Sequence, residues 1–154
     1  MYNKISEFPP KNGRPVWTPT FDLLGEIEDE MIDIPLLGYV TAGLPIEVPE
    51  AQEMISVPAG MMRKCHYALR VRGNSMIDDN ILDGDLILIE SRETAENGQS
   101  VVAKINGCQV TLKKLYIEKD RIRLQPANDA LPPLYFRHDE IEVVGLVKAV
   151  VRLP

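Results

Sequence analysis

Ser100-Val101-Val102-Ala103-Lys104-Ile105-Asn106-Gly107-Cys108-Gln109-Val110-Thr111-Leu112-Lys113-Lys114-Leu115 reads as two β-strands folded back on each other. Valine, isoleucine and threonine favour a pleated, half-buried surface, and Asn-Gly accepts the positive φ angles of a tight hairpin. Cys108, standing between Gly107 and the second run, lengthens the loop beyond two residues or places a bulge there. The texture continues on both sides. Tyr67 to Arg72 alternates apolar and polar residues and ends at Gly73-Asn74, as a half-buried strand entering a turn does. Asp85 to Glu90 is almost continuously apolar, which suits a strand covered on both faces, and Asp83-Gly84 before it is a turn signal. Arg121 to Leu124 and Ile141 to Val151 supply two further strands, whereas the one helical candidate in this part, Glu50 to Met54, is short. The pattern predicts an all-β, mainly antiparallel body, curled or barrel-like in preference to a doubly wound sheet.

Upstream the chain changes character. Residues 1–42 hold three basic and seven acidic side chains and five of the twelve prolines, so they carry −4 of the total formal charge of −6. Phe8 to Pro15 cannot sustain a helix, because each proline lacks an amide donor and restricts its predecessor. A short helix capped by Thr20 over Phe21 to Gly25 is marginal alone. Residues 1–33 therefore read as an acidic, proline-containing arm and 34–154 as one folded domain. Net negative charge argues against direct DNA binding through a phosphate-neutralising face and favours a protein partner. The two cysteines, Cys65 and Cys108, accompany no secretory signal and read as thiols. No apolar run approaches the roughly 18 residues needed to span a membrane, so the reading is cytoplasmic with no membrane partner.

Ser75 is singled out by position. It follows an alternating strand and the turn Gly73-Asn74, which places a hydroxyl beside freshly exposed backbone amides of the kind an oxyanion hole needs. The same serine with Asp78 three positions on also fits a helix capping box. His66 and His138 lack the packing or carboxylate partner that would orient a base. Lys113 and Lys114 are better placed, since alternation sends them to opposite sides of a strand in an apolar sheet. Burial of one favours the free amine, which can take a serine proton, and two solvated lysines flanking a strand are the bland alternative. The histidine, cysteine and acidic residues have no metal-ligand spacing, Asp78 and Asp79 read as capping or turn residues, and no glycine-rich phosphate loop is present, so no metal and no cofactor is expected.

From Ile34 to Arg152 the sequence resembles the carboxy-terminal self-cleaving domain of LexA repressors, lambda-type phage repressors and UmuD polymerase-accessory proteins, a Ser-Lys peptidase family. Gly73-Asn74-Ser75-Met76 resembles its nucleophile motif, and Leu82-Asp83-Gly84-Asp85-Leu86-Ile87 the strand start that follows. Asn97-Gly98-Gln99 with Val101-Val102-Ala103, then Val110 to Leu115, match the hairpin that carries the general base. Leu124-Gln125-Pro126-Ala127-Asn128 and Val144-Gly145-Leu146-Val147 match the closing strands.

The resemblance implies a LexA/signal-peptidase-like fold, Ser75 as nucleophile, Lys113 as general base, and the backbone amides of Ser75 and Met76 as oxyanion donors. It also implies a substrate within the chain. Pro35 to Pro45 resembles the cleavage region, with Ala42-Gly43 as scissile bond and Val40 as anchor of the loop in an apolar slot. A homodimer using Ile141 to Val151 is implied, as are activation by a RecA-type recombinase filament on single-stranded DNA and a role in the DNA-damage (SOS) response. Residues 1–33 are too short, acidic and proline-rich for a helix-turn-helix domain. Three roles are therefore expected of such a chain: a UmuD-like self-processing regulator, the dimerisation and self-cleavage portion of a LexA-type repressor, or a non-enzymatic β-module that binds an error-prone DNA polymerase.

Overall fold

The computed structural model describes residues 4–5, 14–18, 30–40, 53–62 and 64–153. The described residues form eleven strands: β1 (Lys4–Ile5), β2 (Val16–Thr18), β3 (Met31–Val40), β4 (Glu53–Pro58), β5 (Tyr67–Val71), β6 (Leu86–Ser91), β7 (Ser100–Ile105), β8 (Gln109–Ile117), β9 (Ile122–Gln125), β10 (Leu134–Phe136) and β11 (Ile141–Val151). Short 3-10 turns at Ala59–Met62, Ile77–Asp79 and His138–Glu140 are the helical structure among the described residues. The strands belong to one sheet of order β10-β9-β8-β7-β11-β6-β5-β3-β4, with β2 added to β11 and β1 to β2. The pairs β3–β5 and β2–β11 are parallel and the remaining pairs antiparallel, so the all-β, mainly antiparallel expectation holds. The order is open, yet β3 and β8, far apart in it, approach each other. The sheet is curled without closing into a barrel.

The hairpin expected over Ser100 to Leu115 forms β7 and β8, in register from Ser100↔Lys114 to Ile105↔Gln109. Asn106 and Gly107 take φ of 50° and 78°, and Cys108 makes this a three-residue loop. In β6 the side chains of Leu86, Ile87, Leu88 and Ile89 are all fully buried. Alternation divides them: Ile87 and Ile89 enter one apolar cluster with Val40, Leu69 and Met76, while Leu86 and Leu88 enter another with Trp17, Ile34 and Leu36. A strand between two cores has no polar face to spare, which is why this stretch reads as continuously apolar.

The helix expected over Glu50 to Met54 is not what its described part adopts. Glu53 and Met54 begin β4 and pair with Leu36 and Pro35, because edge pairing to β3 outweighs the modest helix propensity of a short segment. The candidate cap at Thr20 with Phe21 to Gly25 lies outside the described residues, as does the Ala42-Gly43 bond. Upstream of β3, Arg14 and Trp17 are buried, and Val16 and Trp17 pair with Val150 and Val151 of β11.

Candidate active site

β5 ends at Val71, and the chain reverses through Gly73, whose φ of 91° favours glycine because an L side chain is strained there. The Gly73 amide donates to Asp83 Oδ1 at 2.7 Å, and the Gly84 amide donates to Val71 O at 2.8 Å, so the turn is tied to the one that precedes β6. Ser75 follows, half-buried, and Met76 drops its side chain into the core at 1% exposure. The serine does not cap the 3-10 turn behind it. The residue at the cap is Met76, with no side-chain cap bond, and the Asp78 carboxylate instead accepts the Asp129 amide at 3.1 Å. Among the described residues, the amides of Asn74, Ser75 and Met76 donate to no protein acceptor.

Lys113 reaches this turn from β8. Its side chain is 2% exposed, and Nζ donates to Ser75 Oγ at 3.3 Å, Thr111 Oγ1 at 2.9 Å and Leu112 O at 3.0 Å. An ammonium has three donors, so these acceptors use all of them. A neutral amine keeps two donors and gains a lone pair. The Leu112 carbonyl can only accept, whereas the Ser75 and Thr111 hydroxyls can each donate, so the lone pair can face Ser75 while Leu112 O and Thr111 Oγ1 take the two remaining N–H donors. Burial lowers the Lys113 pKa from 10.5 to about 8, because the apolar surroundings disfavour the charged form. Between pH 8 and 10.5 the folded chain therefore binds fewer protons at this residue than the unfolded chain, and stability rises with pH across that window. Below pH 8 the buried ammonium costs about 3 kcal/mol, a penalty that a residue retained for packing alone would avoid.

Lys114 has a different neighbourhood, as alternation requires. Its Nζ lies 3.8 Å from Asp79 Oδ1. Asp79 is not a turn cap but a buried carboxylate: its Oδ2 accepts from Arg14 Nη2 at 2.8 Å and from Ser100 Oγ at 2.7 Å. Burial alone would raise its pKa, but the Ser100 hydroxyl and the Arg14 guanidinium, with Lys114, outweigh it and hold the carboxyl below its ordinary value. Neither histidine joins the site: His66 Nδ1 accepts the Ser91 amide, and His138 Nε2 lies 2.9 Å from Glu118 O. Among the described residues no group of three or more histidine, cysteine or acidic side chains is arranged to hold a metal ion. Cys65 and Cys108 are not joined in a disulfide.

Val40 is 1% exposed in the same apolar cluster as Met76, and it pairs with Val71 at the end of the parallel β3–β5 ladder. The Arg72 amide donates to Val40 O at 3.2 Å. β3 thus delivers the chain to the start of the Ser75 turn.

Sequence reasoning missed three contacts that hold this site. Arg14 clamps Asp79, Arg152 binds Asp85 through two bonds of 3.0 and 2.9 Å, and Asn128 Nδ2 donates to Asn74 O at 2.8 Å. Each joins positions more than fifty residues apart, so no local pattern announces it. Asn74, Asp85 and Asn128 stand within motifs of the family resemblance, whereas Arg14, Asp79 and Arg152 stand outside them.

Comparison with known proteins agrees with this architecture. The chain is 43% identical over 122 residues to a LexA repressor of Syntrophobacter fumaroxidans, covering 79% of this chain and 59% of that one. It is 42% identical over 126 residues to a LexA repressor of Clostridioides difficile, covering 80% and 60%. A LexA repressor of Novosphingobium aromaticivorans is 38% identical over 151 residues, covering 97% and 62%. The chain thus spans about three fifths of the length of these curated relatives. The family described as Peptidase S24-like matches residues 35–148, which take in most of β3, the Ser75 turn, the Lys113 hairpin and most of β11, and the chain belongs to that family.

Proposed function

We propose that this chain is a Ser-Lys autopeptidase that cuts its own Ala42-Gly43 bond. The observation that carries the reading is the buried Lys113 amino group, 3.3 Å from Ser75 Oγ with no carboxylate among its hydrogen-bond partners. Neutral Lys113 takes the Ser75 proton as Oγ attacks the Ala42 carbonyl, and the backbone amides of Ser75 and Met76 stabilise the oxyanion. Lys113 then returns the proton to the leaving Gly43 amine, and water hydrolyses the acyl-serine. Reach supports the assignment. From the paired Val40 and Val71, Ala42 is two residues on and Ser75 four, spans of at most about 7 and 14 Å when extended. Alanine and glycine at the cut present little bulk to the attacking oxygen. Residues 1–33 act as an arm on the domain 34–154, and no cofactor takes part.

The test is to hold purified protein at alkaline pH and weigh the products. Wild type and Lys114→Ala are expected to give a 42-residue fragment and a 112-residue remainder of the 154, while Ser75→Ala and Lys113→Ala stay whole. Cleavage lost in Lys114→Ala and kept in Lys113→Ala would show that Lys114, not Lys113, is the base. Cleavage surviving Ser75→Ala would end the Ser-Lys reading.

The biological role that fits is a cytoplasmic regulator of the DNA-damage response, activated by a RecA-type filament, in the UmuD manner with an error-prone polymerase as partner. A second role, the self-cleavage and dimerisation portion of a LexA-type repressor, is favoured by the relatives, which are LexA repressors of which this chain spans three fifths. Both imply a homodimer. Both edges of β11 are paired within the chain, so an interface through it falls to its half-buried side chains, Ile141 and Val143 on one side of the sheet and Val144 on the other. Sedimentation is expected to show a dimer at micromolar concentration, weakened by Val144→Asp; a monomer at high micromolar concentration would reject it.

A further inference from the structure

The turn that carries Ser75 is held from outside by the segment following β9. Ala127 O accepts the Asp78 amide at 2.7 Å, and the Asp78 carboxylate accepts the Asp129 amide. Asn128 sits between these two cross-links and uses both ends of its side-chain amide. Oδ1 accepts the Ala130 amide at 2.9 Å and so shapes its own loop, while Nδ2 crosses to donate to Asn74 O at 2.8 Å.

Asn74 C=O and Ser75 N–H belong to one peptide group. That group is planar and trans, so its carbonyl and its N–H point in opposite directions, and whatever fixes one fixes the other. A donor on the carbonyl also polarises the N–H, since hydrogen bonds in series strengthen each other. The Ser75 N–H in question donates to no protein acceptor among the described residues.

We infer that Asn128 is a positioning residue for self-cleavage: through the Asn74 carbonyl it aims the Ser75 amide at the oxyanion that forms on the attacked carbonyl. The inference rests on the Ser-Lys reading above. Asn128 itself touches no reacting atom, so its effect falls on oxyanion stabilisation and leaves the proton affinity of Lys113 alone.

The two ends of the side chain allow a clean test. Asn128→Asp keeps an oxygen for the Ala130 amide and removes the closer of the two donors to Asn74 O, leaving the Ile77 amide at 3.4 Å, whereas Asn128→Ala removes both Asn128 bonds without adding charge. Self-cleavage rate is measured against pH in the full chain for wild type, both variants and Ser75→Ala, with thermal midpoints and the 15N resonance of the Ser75 amide recorded alongside. Losing an oxyanion donor outright slows an enzyme by about 100- to 1000-fold, so loss of its alignment is expected to slow the high-pH plateau about 10- to 100-fold in both variants. Asn128→Ala is expected to keep the wild-type midpoint of the pH profile, and the Ser75 amide resonance to move in both. An Asn128→Asp protein cleaving within about twofold of wild type would show that only the Ala130 bond matters and would overturn the inference. So would an Asn128→Ala defect that disappears at high pH, because the residue would then act on Lys113. If Asn128→Ala does not fold, Asn128→Asp decides. Cleavage by Ser75→Ala would overturn the Ser-Lys reading itself, a distinct result.

Discussion

Self-cleavage of the wild-type chain is expected to rise about tenfold between pH 7 and pH 9 and then level off. With a Lys113 pKa of about 8, roughly a tenth of the molecules carry the free amine at pH 7 and roughly nine tenths at pH 9. A lysine at its ordinary 10.5 would give a different curve: a rate climbing by a factor of ten per unit through pH 10 with no plateau. The levelling is therefore the diagnostic feature, and it reports burial of the amine beside Ser75. Lys113→Arg is the sharpest variant, because a guanidinium keeps charge and reach but cannot be deprotonated. It is expected to lower the rate at least about 100-fold at every pH, the minimum that a general base contributes. A log-linear rise without a plateau, or an active Lys113→Arg, would mean that the buried amine is not the base. In the same assay a RecA-type filament on single-stranded DNA is expected to speed cleavage at pH 7; a filament without effect would remove it as activator.

What could be read in the sequence depended on distance along the chain. The β7–β8 hairpin was legible because its strands are neighbours in sequence and Asn106-Gly107 marks the bend. β5, β6, β9 and β11 were legible because alternation or continuous apolarity persists over several residues. β3 was not read as a strand, since Pro35 and Gly38 interrupt it and its pairing to β5 shifts register between Leu36 and Tyr39. β10 has three residues and no periodicity to detect. The placing of β11 between β6 and β7 is a non-local fact that no local pattern encodes. The candidate site divides likewise. The Ser75 turn has a local signature, and alternation separates Lys113 from Lys114, but the choice between the two lysines came from the family resemblance, because the approach of β8 to this turn depends on how the sheet curls. Asp78 and Asp79 look equivalent in sequence; only the fold turns one to the surface and buries the other against Arg14.

That buried pair underlies the largest stability effect expected here. Asp79 and Arg14 are 4% and 8% exposed, and the carboxylate also holds the Ser100 hydroxyl and faces Lys114. Asp79→Ala leaves a buried guanidinium without its counter-ion and a buried hydroxyl without its acceptor. Breaking such a pair from one side costs about 3–5 kcal/mol. Arg14→Ala is expected to cost less, because Ser100 and Lys114 remain to the carboxylate. Joint replacement by Arg14→Met and Asp79→Leu is expected to recover much of the loss, since two desolvated charges are exchanged for apolar packing. Urea unfolding at pH 7 measures all three. Because the folded Asp79 pKa is depressed, its contribution is present above the unfolded value of 3.8 and is lost as pH falls through the folded one, so the variants should converge with wild type only in strong acid. An Asp79→Ala protein within about 1 kcal/mol of wild type would show that Arg14 is not docked in solution. The consequence for the proposed cleavage is direct, because Arg14, Trp17 and β3 all lie upstream of Ala42-Gly43 while Asp79, β5 and β11 lie downstream. Cutting that bond leaves the Arg14–Asp79 bonds and the β2–β11 and β3–β5 pairings intact, so the two fragments should co-elute under native conditions and separate in Asp79→Ala. Self-cleavage and release of the 42-residue fragment are then two events, the second governed by this cluster together with the strand pairings and not by the serine.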